Sequence, residues 1–383
     1  MGQDAHRRQT LLRPPGDPLW HLLIERLKIP WPVIPVVVVL IGAVLLYGLG
    51  AAVSYLSHPE ANIIRVFDPE HLYYSLIVCF VGTPLIWLIY LWQPIGLANT
   101  LVSLRDNEVI VETQDQTLET FAARMTRALN SPRLLIAVVV ALLTVLVLET
   151  VFIFPMDTAL RGRAFFWYYD RVYYILVWVP LVYLTVYVLV ILVAKSILTL
   201  VWLNLLFRTF PARVHPLFPD GVGGFAPLGS LAVKYALIAV FLGLAVASFD
   251  IARYLFGPGG VYVDSLLFWA CYATLTPACL IAPIWSAHKG MVINRNRLLR
   301  DVSKEIERIL TQETPKRTES LETSGKMLVE LKSRYTLIKD SYPTWPVSFG
   351  TFRRFSITAA VPLITGVASI LIDVLAKMSA NGM

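Results

Sequence analysis

The residues best suited to chemistry in this chain lie in one short stretch, His215-Pro216-Leu217-Phe218-Pro219-Asp220-Gly221-Val222-Gly223-Gly224. A histidine and a carboxylate are a pair that acid–base catalysis uses. Pro-Asp-Gly starts a turn, and the glycines allow positive φ or close backbone approach. Successive backbone N–H groups in such a loop can cradle an anion just ahead of a helix N-terminus. His215, Asp220, Gly221, Gly223 and Gly224 are therefore a candidate ligand loop, with a plain structural turn as the competing reading. No Lys-Ser/Thr pair closes the loop, so it is not a P-loop. No strand precedes it, which excludes a dinucleotide fingerprint. A lone His and Asp, without a second carboxylate or nucleophile nearby in sequence, designate no catalytic residue.

A second pattern runs along the last apolar segment. Thr358, Pro362, Thr365, Gly366, Ser369 and Asp373 recur at offsets of 0, 4, 7, 8, 11 and 15, on one helical face. Val361, Leu363, Ile364, Ile370 and Leu371 take the other side. Small residues let membrane helices pack closely, and hydroxyls bond across the contact. The same stripe suits the wall of a water-filled path around an oligomer axis. Asp373 would then stand at the outer mouth and Arg353 and Arg354 at the inner one. Just before this segment, Pro343 and Pro346 break the helix and favour an extended elbow, a candidate hinge. Asp250 and Arg253 are spaced as a candidate ion pair. Cys79, Cys271 and Cys279 all sit in apolar segments and read as small buried hydrophobes. Neither metal-ligand spacing nor a cofactor motif is present.

Composition says what must hold these residues. The chain has 383 residues, 56% apolar and 15% charged, against about 45–50% and about 25% in a soluble domain. Mean hydropathy is +0.64. An ordinary soluble enzyme, a disordered chain and a disulfide-rich secreted domain are excluded. Apolar residues come in long unbroken runs rather than alternating strands, so the expected fold is all-α and polytopic, not a barrel. The net charge of +7 then reports topology more readily than nucleic-acid binding.

Seven segments are long enough to cross a membrane, which takes about 20 apolar residues: roughly 31–56, 72–95, 134–155, 172–207, 231–255, 265–288 and 352–376. The first is too long for a signal-peptide core and is read as a retained helix. Lys and Arg gather before the first span and in 96–133, 208–230 and 289–351. The 57–71 loop holds only Arg65 and 256–264 holds none, while 156–171 departs from the pattern with Arg161, Arg163 and Arg171. The bias places the N-terminus in the cytoplasm and the C-terminus outside, in a cell (inner) membrane.

Residues 1–30 then form a cytoplasmic N-terminal segment, and 31–288 carry the first six spans. The fourth run is too long for one bilayer. Lys195 falls near the headgroups, where it can snorkel, and Leu198 to Leu206 continue as an apolar helix that needs a cover. Leu118, Phe121, Ala122, Met125 and Leu129, at helical spacing in the 96–133 connection, are one candidate. The stretch 289–341 reads as a helical hairpin with apolar faces and a split near Thr314-Pro315, able to pack within one chain or tie subunits together. Residues 342–351 are the Pro-rich elbow, and 352–383 hold the seventh span and outer C-terminus.

The loop from His215 to Gly229 resembles the Pro-Asp-x-x-Gly-Gly loop of uncharacterised multi-pass membrane proteins of bacteria and archaea, a resemblance that implies no known activity. The layout is similar to that of insect odorant and gustatory receptor channels. They share its N-in, C-out orientation, seven spans, helical cytoplasmic anchor and a last helix broken before a pore segment. Where they carry a Thr-Tyr…Gln-Phe signature, this chain reads Phe352-Arg353-Arg354-Phe355-Ser356. The layout implies a tetrameric, ligand-gated cation channel. The leading expectation is thus a homo-oligomeric ion channel lined by its last helix, without cofactor, metal or nucleic-acid partner. A non-conducting membrane sensor comes second, and a membrane enzyme using His215 and Asp220 third.

Overall fold

The computed structural model describes residues 18–49, 52, 80–112, 116–148, 183–216, 218–256, 263–312 and 318–380. Every regular element among them is a helix; one isolated β-type bridge joins Ile110 to Ala212. After two short helical turns, Pro18–Trp20 and His21–Arg26, come α1 (Ile34–Ala43), α2 (Thr83–Asp106), α3 (Leu118–Leu129), α4 (Pro132–Leu148) and α5 (Leu184–Thr209). Then follow α6 (Ala226–Phe256), α7 (Val263–Ile281), α8 (Trp285–Gln312), α9 (Thr318–Ser341) and α10 (Phe349–Ala380).

Three stretches among the described residues are long and apolar enough to cross a membrane by length and composition: Phe80–Asp106, Leu118–Thr144 and Leu184–Thr209. The second is two helices. The Thr117 hydroxyl caps α3, accepting from the Thr120 N–H at 3.3 Å, and the Ser131 hydroxyl accepts from the Leu134 N–H at the start of α4. Only α4 has the uninterrupted apolar sequence of a span; α3 is amphipathic and shorter. Within the first four expected spans, residues 50–51, 53–56, 72–79, 149–155 and 172–182 lie outside the described residues, as do the loops 57–71 and 156–171.

Helix α2 is the central post, packed against α1, α5 and α6. Helix α6 pairs with α7 and α10, and α8 folds back on α9. The larger core forms where Leu97, Leu101 and Leu104 of α2 meet Leu203 and Leu206 of α5. Phe121 of α3 closes it edge-on to Trp202 at 5.3 Å and Phe210 at 5.7 Å. So Leu118, Phe121, Ala122 and Met125 do cover the apolar extension of α5, while Leu205 stays exposed. Pro283 ends α7 because it lacks an N–H and disfavours helix at the preceding residue. The hairpin helix therefore starts at Trp285, four residues ahead of the boundary expected from sequence.

Candidate functional site

The Gly-rich loop is held by its own aspartate. Asp220 Oδ1 accepts from the N–H groups of Val222 at 2.9 Å and Gly224 at 3.0 Å, and Oδ2 from Ala226 at 3.1 Å. The donors that could cradle an external anion are thus occupied by a carboxylate of the chain, which also caps the start of α6. Gly221, Gly223 and Gly224 have φ of +67°, +72° and +92°, conformations that disfavour other residues. The Gly224 carbonyl accepts from Asn107 Nδ2 at 2.9 Å, and the Arg213 N–H donates to the Val109 carbonyl at 2.8 Å. These bonds stitch the loop to the end of α2. His215 lies against Phe218, its Nε2 buried without a hydrogen-bond partner. None of the bonds to Asp220 involves His215, so the loop's two chemical groups do not act as a pair.

The Pro-rich elbow lands on this loop. A Cβ on Gly229 would lie 2.2 Å from the Pro346 carbonyl oxygen, and one on Gly223 would lie 3.3 Å from Pro343 Cγ. Only glycine permits either contact without displacement. His288 of α8 donates from Nδ1 to the Thr344 carbonyl at 2.7 Å, a bond that requires a proton on Nδ1. Its ring stacks on Trp345, centroids 3.9 Å apart and planes 19° apart. Asn294 Nδ2 donates to the Ala212 carbonyl at 2.6 Å, and Arg295 to the Lys339 carbonyl. Burial pushes the Tyr342 phenol up to about 12. Pro343 and Pro346, the expected hinge, thus sit in a packed junction of loop, elbow and hairpin base.

A polar cluster joins α2, α5 and α6. Gln93 Nε2 donates to Ser196 Oγ and to the Tyr235 hydroxyl, each at 3.1 Å. Lys195 is 8% exposed, with Nζ 6.0 Å from the Tyr90 ring centroid. It does not snorkel outward as its position in the run suggested; α2 closes over it. Gln93, inside an apolar run, was the sequence signal for this cluster.

The stripe on α10 divides. Pro362 and Gly366 are buried within the chain, and a Cβ on Gly366 would come within 2.3 Å of Trp269 of α7. The Tyr272 hydroxyl donates to the Ala359 carbonyl at 3.1 Å, and Phe355 enters the core. Pro362 and Gly366, expected on a lumen, therefore face α6 and α7 of their own chain. Thr358 is exposed and Thr365 half-buried; their hydroxyls donate to the carbonyls of Arg354 at 3.0 Å and Val361 at 2.9 Å. Arg353 and Arg354 are exposed. The side chains of Ser369, Asp373, Asp250 and Arg253 lie outside the described residues.

Among the described residues, no group of three or more His, Cys, Asp or Glu is placed to hold a metal ion. No protein-family model, curated protein or solved structure matches this chain.

Proposed function

We propose that the chain is a seven-span membrane protein, N-terminus inside and C-terminus outside, that works as a sensor: the α8–α9 hairpin and the last membrane helix move as one unit. The observation that carries this reading is the junction. The elbow that leads into α10 is stacked on His288 of α8 and pressed backbone-to-backbone on Gly229 of α6. A change in the membrane helices is thereby transmitted to the hairpin through packed contacts, which switch between discrete arrangements rather than deform smoothly. Positively charged connections on the hairpin side support the orientation.

The channel is the second reading, favoured by the exposure of Thr358 one turn above exposed Arg354. Against it, both threonine hydroxyls donate to carbonyls of their own helix, the bond such side chains make when they face lipid. The neighbouring exposed positions Ile357, Val361, Ile364 and Val367 are apolar. A pore of last helices would use Thr358 and Thr365, not Pro362 and Gly366.

Spin labels at Lys332 and Ile357, both exposed, in a background with Cys79, Cys271 and Cys279 changed to Ala, test the coupling. One narrow distance distribution, broadened by Trp345→Ala, is expected; a broad distribution in the parent protein overturns the sensor reading. Cation flux into dye-loaded liposomes holding purified protein, blocked by thiol modification of Thr358→Cys, would restore the channel.

A further inference from the structure

We propose that the groove between α5 and the α7–α8 break holds one anionic phospholipid from the leaflet on the hairpin side, its acyl chain along α5 and its phosphate on Arg208. The cavity has a volume of about 620 Å³. Val201, Leu205, Ile281 and Trp285 make apolar walls, and Ala278 and Ala282 leave the width. Pro283 creates the space by ending α7 before the chain turns into α8. The polar residue in the wall is already satisfied: Asn204 donates to the Ala282 carbonyl at 2.7 Å and accepts from Ser286 Oγ at 2.6 Å. It therefore adds no demand for water to the apolar trough.

Charge and length define the occupant. Arg208, on the last turn of α5, lines one end, and among the described residues no carboxylate lines the groove. Lys289 Nζ lies 5.4 Å from the Trp285 ring centroid, adding a second cation beside that wall. A Trp rim with two basic residues is the composition of a headgroup layer, and basic pockets between membrane helices bind anionic headgroups. With Lys195 buried under α2, the headgroup level falls at Arg208 and not at Lys195, and from Leu205 the exposed apolar surface of α5 continues through Val201, Ile197 and Val193, one residue per turn. From Val193 to Leu205 the helix rises about 18 Å at about 1.5 Å per residue, close to the ~15 Å half-thickness of the hydrocarbon. That depth matches an acyl chain of one leaflet. A partner helix crossing the whole membrane would need about twice the track.

The inference rests on the membrane placement proposed above but not on the hairpin's motion. Purified full-length protein is mixed with equal phosphatidylglycerol and phosphatidylcholine, and retained lipid is counted by native mass spectrometry. Phosphatidylglycerol is expected to be retained in preference. Arg208→Gln should cut that preference about fivefold, the effect of one basic residue near an anionic surface. Ala278→Phe, which fills the groove, should remove both lipids, with unchanged elution showing that the fold persists. Equal retention of the two lipids by the parent protein, or phosphatidylglycerol bound equally by all three proteins, overturns the site. So does a Trp285→Cys cross-link to a second copy. Val193→Cys, with Cys79, Cys271 and Cys279 changed to Ala, separates the two failures in native membranes. Labelling by a water-soluble maleimide shows that this face is not in lipid and sinks the membrane placement as well. Protection without lipid preference sinks the lipid site alone.

Discussion

The loop–elbow junction and the α5–α7 groove are built in opposite ways. In the junction, residues with the most chemical promise are spent on structure. Asp220 holds three backbone N–H groups, Asn107 and Asn294 hold carbonyls of neighbouring segments, and His288 clamps the elbow. In the groove, ordinary Val, Leu and Ala side chains leave an uncovered trough with one arginine at its end. Residue type announces what a site could do; packing decides whether anything remains free to do it.

The largest effect that would break this contrast is at Asp220. Asp220→Ala removes a charged acceptor from three donors and should destabilise the protein by about 3 kcal/mol, from net hydrogen-bond values of about 1–1.5 kcal/mol each. Asp220→Asn keeps the Oδ1 bonds and should lose about a third of that. Thermal denaturation in detergent measures both. If Asp220→Ala melts within a degree of the parent, the loop is not closed by its own carboxylate, and an external anion re-enters as its ligand.

Glycine substitutions sharpen the contrast further. Gly229→Ala forces a Cβ against the Pro346 backbone, 2.2 Å away, where no flexible side chain can yield. Overpacking of this kind costs about 1–3 kcal/mol. Hydrogen exchange should rise at the elbow, the loop and the base of α8 together. Gly221→Ala meets nothing within 4 Å and suffers only from its φ of +67°, about 1 kcal/mol. Equal losses at the two positions, or exchange confined to the elbow, would show that the junction is not a single packed unit.

Trp345→Ala removes the stack on His288 and should cost about 1 kcal/mol while widening the spin-label distances. Tyr342 adds a pH test. Its phenol is held protonated in the folded protein to about 12, against 10.0 ordinarily. The unfolded chain therefore loses that proton first, and stability falls as pH rises from 10 towards 12. Tyr342→Phe should flatten that part of the stability curve; an unchanged slope would place the phenol in water.

Local features of this architecture could be read in the sequence. The buried face of α3 shows as Leu118, Phe121, Ala122 and Met125 at helical spacing, because one helix decides it. Positive φ at Gly221, Gly223 and Gly224 follows from Pro-Asp-Gly turn chemistry. Contacts distant along the chain could not be read. Nothing in the sequence brings Gly229 to Pro346, or Gly366 to Trp269, since either glycine could equally have served a turn, a lumen or a lipid face. Lys195 shows the same limit. Its depth in the run suggested a headgroup partner, but Tyr90 and the helix α2 that carries it decide its surroundings.

The smallest expected effect is at Thr358, and its smallness is informative. The side chain is exposed, and its hydroxyl donates to the Arg354 carbonyl at 3.0 Å. Facing lipid, Thr358→Ala loses only a self-satisfied hydroxyl and a methyl group, so stability should change by less than about 0.5 kcal/mol. Facing a narrow lumen shared by several copies, the same change would remove a ring of polar groups at a constriction. Water there would become less favourable, and conductance would fall several-fold. The two faces of α10 then give opposite rankings. If the helix only packs and transmits, Gly366→Leu against Trp269 is damaging and Thr358→Ala is silent in melting and in liposome flux. If it lines a pore, Thr358→Ala is silent in melting but alters flux. Loss of flux without loss of stability at Thr358 would return the last helix to the axis of an oligomer and leave Gly366 as the packing half of a two-sided helix.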